Sequence, residues 1–109
     1  MRMIQIHRLL GILLVATLLG LIGAGCGPAQ VGPDRDAFKA IDALYTAVSL
    51  RDVTLTDRCA GQLRELHAAA KLPEAPYREL VAMIDEAKSG GWEHAQGRLA
   101  SFMEGQQRR

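Results

Sequence analysis

The stretch Asp34-Arg35-Asp36-Ala37-Phe38-Lys39-Ala40-Ile41-Asp42-Ala43-Leu44-Tyr45-Thr46-Ala47-Val48-Ser49-Leu50 sets the fold class. Phe38, Ile41, Leu44 or Tyr45, and Val48 recur at three- and four-residue spacing, while Lys39, Asp42, Thr46 and Ser49 recur on another face. That is the pattern of an amphipathic helix. Asp34 and Asp36 suit its positive N-terminal end.

Working outward, the same periodicity returns three times. Asp52-Val53-Thr54 reads as a turn, and Thr54-Leu55-Thr56-Asp57 has capping-box character. A second helix is expected from there to about Lys71, with Leu55, Cys59, Leu63, Leu66 and Ala70 as its stripe. Leu72-Pro73-Glu74-Ala75-Pro76 interrupts it, and Pro76 suits the first turn of a third helix. Tyr77, Leu80, Val81, Ile84 and Ala87 form the third stripe; Ser89-Gly90-Gly91 closes it, with glycine supplying a left-handed cap. Trp92, Ala95, Leu99, Phe102 and Met103 mark a fourth helix fading near Gly105, and Gly97 within it would permit a neighbouring helix to approach closely. The expectation is an all-α domain over 34–105: four short helices forming two antiparallel hairpins. A frayed basic tail over 106–109 would follow.

Aligning the two halves at an offset of 36 residues puts Ile41 on Tyr77, Leu44 on Leu80, Val48 on Ile84, Cys59 on Ala95 and Leu63 on Leu99. An internal repeat and two unrelated hairpins of equal length both account for this. Gly90-Gly91-Trp92-Glu93-His94-Ala95, with Leu99 and Phe102 beyond, resembles the opening of the second helix of a tetratricopeptide unit. The resemblance covers 76–105 and implies a helical hairpin that binds a protein or peptide.

The segment before the domain differs in kind. Residues 1–8 hold Arg2, His7 and Arg8 and no acid; Leu9 to Ile22 is apolar apart from Thr17 and two glycines; Gly23-Ala24-Gly25 then leads to Cys26. A basic start, an apolar middle and a small-residue exit make a secretory signal peptide, here a helix over 1–25. Ile22-Gly23-Ala24-Gly25-Cys26 resembles the lipobox of bacterial lipoproteins, although Gly23 stands where a larger aliphatic residue is usual. The resemblance implies cleavage between Gly25 and Cys26, a diacylglycerol on the Cys26 sulfur, and a mature protein held on a membrane by its N-terminal lipid. Each buried methylene of such an anchor contributes about 0.8 kcal/mol. Three other readings compete: an uncleaved single-pass anchor, for which the run is short of the roughly 20 residues that span a bilayer, ordinary cleavage leaving Cys26 free, and a buried core helix, against which the lack of a polar face counts. Gly27 rather than Asp follows the cysteine, which by enteric analogy implies the periplasmic face of the outer membrane. Gly27 to Pro33, rich in glycine and proline, reads as a flexible tether of roughly 25 Å when stretched.

Cleavage would remove Arg2 and Arg8, leaving 11 bases against 12 acids. That balance makes no electrostatic case for nucleic acid. Cys59 is left without a partner by lipidation of Cys26. It reads as a small buried apolar residue, with an intermolecular disulfide as the alternative. His67 and His94 are the mature histidines, and a metal or stress sensor would need both at one site; HxxxH, HExxH and CxxC spacings are missing. Asp85 and Glu86 are adjacent and so diverge on a helix. Ser49 and Ser101 have no His/Asp arrangement near them. Neither an enzyme, nor a cofactor, nor a small-molecule substrate is indicated. Tyr77, Trp92 and Phe102 read as core groups or as partner-binding aromatics. The leading function is a membrane-anchored interaction module of the cell envelope; a structural envelope lipoprotein without a specific ligand is the alternative.

Overall fold

The computed structural model describes residues 27–107, all-helical with no strands among them. The expected signal-peptide helix, the Gly25/Cys26 junction and residues 108 and 109 lie outside the described residues. Four helices follow one another: α1 (Arg35–Ser49), α2 (Val53–Ala68), α3 (Glu74–Lys88) and α4 (Trp92–Glu104).

Each helix starts and stops for a local reason. Asp34 caps α1 by accepting the Ala37 N–H at 3.0 Å, and Asp52 caps α2 by accepting that of Leu55 at 2.9 Å. The cap of α2 therefore lies two residues ahead of the expected Thr54. Asp52 is already extended, so its carboxylate reaches the first free N–H groups before the Thr54 hydroxyl can. Pro76 sits in the first turn of α3, where its missing N–H has no helical partner to lose.

The first three helices end in the same way. The residue after the C-cap turns left-handed: Arg51 at φ 53°, Ala70 at φ 60°, Gly90 at φ 104°. Its N–H and the next one then bond back into the last turn, as in Arg51 to Val48 and Asp52 to Ala47, or Gly90 to Ala87 and Gly91 to Glu86. These are Schellman closures. Asp52 and Gly91 each finish one helix and begin the next, so both hairpins turn without a loop.

This common construction corrects the repeat spacing. Arg35 and Glu74 open the first helices of the two hairpins, and Val53 and Trp92 the second, so both pairs are 39 apart (74 minus 35, 92 minus 53). The offset of 36 misses by three residues, close to one helical turn, which is why apolar positions still coincided.

The helices form a closed ring: α1 packs on α2, α2 on α3, α3 on α4, and α4 back on α1. Consecutive helices are antiparallel. The start of α1, the α2/α3 turn and the end of α4 share one end of the bundle, where Lys71 meets Asp36 at 3.3 Å. The α1/α2 and α3/α4 turns share the other, where Lys88 meets Asp57 at 2.6 Å. Ile41, Leu44, Leu63, Leu80 and Leu99 fill the centre at 2% exposure or less. Burying each such side chain contributes about 1.5–3 kcal/mol. Phe102 belongs to this core, and Cys59 sits in it as a small apolar residue.

The segment read as a tether is not free. Val31 is 1% exposed and packs into the core cluster. Its N–H donates to the Gln106 side-chain oxygen at 2.8 Å, and the Gln106 amide donates to the carbonyls of Ala29 at 3.0 Å and Phe102 at 3.1 Å. Gln107, expected to fray, donates its backbone N–H to Gln30 at 2.8 Å. Residues 27–33 form a strap across the end of α4. The reason is local: one apolar side chain finds a gap in the core, and one buried glutamine satisfies the backbone beside it. Gly105 permits the contact, since a Cβ there would stand 2.3 Å from the Pro28 ring.

Candidate functional site

Two recesses flank α4. A groove of about 1080 Å³ runs between α3 and α4. Met83 and Phe102 form its apolar base. Gly97, Arg98 and Ser101 form one wall, with Glu79 and Pro28 at the strap end and Arg51, Gly90 and Gly91 at the other. Gly97 has open space where a side chain would be, so it widens the groove and does not seat a neighbouring helix as expected. A hollow of about 600 Å³ lies between the strap, α1 and α4, with Phe38, Ile41 and Met103 as its apolar side and Gln30, Arg35 and Gln106 at its rim.

The groove wall is held by ions. Glu86, late on α3, accepts from His94 through one oxygen and from Arg98 through the other, the latter at 2.9 Å. His94 and Arg98 are four apart on α4 and so share a face. The hydrogen bond from His94, with that from Arg98, holds the Glu86 carboxyl below its ordinary value, against an opposing contribution from desolvation. Glu86 diverges from its neighbour Asp85, and its partners are instead on the next helix, eight and twelve residues on.

At the strap end, His67 stacks face to face on Tyr77 with ring centroids 4.4 Å apart. Its Nδ1 lies 3.0 Å from the Leu72 carbonyl oxygen and its Nε2 lies 2.7 Å from a Glu74 carboxylate oxygen. The imidazole ties the end of α2 to the start of α3. His94, by contrast, is beside Glu86 at the last turn of α3. Twelve residues of α3 separate Glu74 from Glu86, roughly 18 Å along the axis. The two histidines thus occupy opposite ends of the bundle, and the sensor that needed both at one site has no such site. Among the described residues, no group of three or more His, Cys, Asp or Glu side chains is placed to hold a metal ion.

The aromatics named as partner-binding candidates are likewise dispersed. Phe102 is 2% exposed and unavailable. Tyr77 is half-buried against His67 at the strap end, and Trp92 is half-buried at the far end, so they do not make one surface. The large apolar groups that do face solvent are Leu50 at 65% and Val53 at 50%, either side of the α1/α2 turn. Burial pushes the Cys59 thiol up from its ordinary pKa, with Arg58 opposing. Cys59 is 6% exposed, which places its thiol poorly for an intermolecular disulfide.

Set against protein-family models, curated proteins and solved structures, the chain matches none of them. No helix among the described residues is long and apolar enough to cross a membrane.

Proposed function

We propose that this chain is a lipid-anchored protein of the bacterial cell envelope whose helical domain engages a protein or peptide partner. The observation that carries the reading is the run Leu9 to Ile22, closed by Gly23-Ala24-Gly25 and ended by Cys26, immediately ahead of a compact helical domain. An apolar export segment needs no packing partner, and a thiol at its exit is the atom that would receive the lipid. The partner-binding half is supported by the groove between α3 and α4, a recess of about 1080 Å³ whose rim carries both charges.

The test is the intact mass of the native protein purified from membranes. The expected product begins at Cys26 and carries an acyl adduct. A Cys26→Ser variant should lose the adduct and leave the membrane fraction. A product that retains Met1 and lacks any adduct refutes the anchored reading. A photo-crosslinking residue at Gly97, in open space at the groove, should yield a discrete adduct in cells. An equal pattern from a crosslinker at Arg58, on the exposed side of α2, would remove the groove from consideration.

A further inference from the structure

We propose that the docked strap fixes how the bundle meets a phospholipid surface: the end built from the strap, the α2/α3 turn and the close of α4 lies against the lipid, and the α1/α2 and α3/α4 turns point away. This rests on the lipid-anchored reading of Cys26.

The argument is one of leash length. Cys26 directly precedes Gly27. Pro28 is already seated against Gly105, the Ala29 N–H donates to a Glu79 carboxylate oxygen at 3.3 Å, and Val31 is in the core. Gly27 alone, within roughly 7 Å of chain from Cys26 to Pro28, therefore separates the lipid-bearing residue from the rigid body, not the roughly 25 Å of a free seven-residue tether. The body is longer than its leash: α1 spans 15 residues, about 22 Å. Held that closely at one end, the bundle keeps that end at the bilayer and cannot turn over to present the far end alone.

The chemistry of the two ends agrees. The edge nearest the anchor is polar and carries both charges, with Gln30 and Gln107 exposed beside Arg35, Asp36, Lys71 and Glu74. It fits the headgroup layer. At the far end, the exposed Leu50 and Val53 are kept out of the lipid and offered to the surrounding compartment.

The chain supplies its own probe, because Trp92 is its one tryptophan and stands at the far end. The acylated full chain is placed in vesicles of phosphatidylethanolamine and phosphatidylglycerol containing lipids with a nitroxide on the headgroup. Trp92 fluorescence should be nearly unquenched. Moving the probe with Trp92→Phe and Gln107→Trp should raise quenching several-fold, and adding Gly105→Ala, which forces Pro28 off, should abolish most of that contrast. Strong quenching of Trp92 in the unmodified sequence overturns the proposal without any variant having to fold, as does equal quenching at the two positions. Intact mass is read on the same sample. An acyl adduct with equal quenching sinks the orientation alone; a missing adduct sinks the anchored reading and the orientation with it.

Discussion

Replacing Gln106 with alanine removes the clasp between the two ends of the domain. Three hydrogen bonds go with it: Val31 N–H to the side-chain oxygen, and the side-chain amide to the carbonyls of Ala29 and Phe102. At about 0.5–1.5 kcal/mol each, the bonds sum to several kcal/mol if the strap stays in place. It need not stay. Undocking rehydrates the Val31 N–H and the Ala29 carbonyl, and limits the loss to what the strap contributes when docked. That contribution is the burial of Val31, about 1.5–3 kcal/mol, reduced by the entropy of ordering the segment. A loss of about 2 kcal/mol follows. The assay is amide exchange at Val31 together with urea unfolding. Since 1.4 kcal/mol is a factor of ten, exchange at Val31 should accelerate by roughly 30-fold, with amides in the middle of α1 changing much less. Gln30→Ala, which removes exposed bonds, is the control and should shift stability by less than about 0.5 kcal/mol. Unchanged protection at Val31 in Gln106→Ala would refute the clasp.

Gly97→Ala should raise stability by about 0.5–1 kcal/mol, read as a higher urea midpoint, because the helix gains propensity and the added methyl meets no atom within 4 Å. Ala70→Gly should also stabilise, by about 0.5 kcal/mol, since Ala70 is held at φ 60° where glycine alone is unstrained; a lower midpoint would refute that reading. Glu86 has a depressed carboxyl pKa when folded, so its contribution is present above the unfolded carboxylate value and is lost as pH falls through the lowered folded value. Glu86→Gln should therefore lower stability at neutral and alkaline pH, leave it nearly unchanged at the acid extreme, and so flatten the acid limb of the stability–pH curve. The Cys59 thiol, buried and shifted upward, should react with a thiol reagent far more slowly in the native protein than in urea; equal rates would show the site to be open.

The helices were legible because their packing is periodic. Ile41, Leu44 and Val48, or Leu80, Ile84 and Ala87, sit at helical spacing and are buried as that spacing requires. The strap was not legible, for a physical reason. Val31 is a single apolar residue between Gln30 and Gly32, so it carries no period, and a run of glycine and proline has the composition of a loop whether or not it is docked. Gln106 is polar, and nothing in its sequence neighbourhood marks it as buried; its partners are 75 and 77 residues earlier. Glu86 was hidden in the same manner by partners on the following helix. The aromatics follow the first of their two readings: Phe102 is core, and Tyr77 and Trp92 pack against it. Tyr77, Trp92 and Phe102 share a hairpin in sequence, yet the antiparallel course of α3 and α4 sends the first two to opposite ends.

The clasp makes the two termini of the domain a single corner. A truncation after Gly105 would delete no core side chain, yet it would unfasten residues that precede α1. A purification tag fused downstream of Gln107 would crowd the place where the strap begins, so a protein engineered for convenience at one terminus would be altered at the other. Tagging inside the α1/α2 or α3/α4 turn, at the opposite pole, leaves that corner intact.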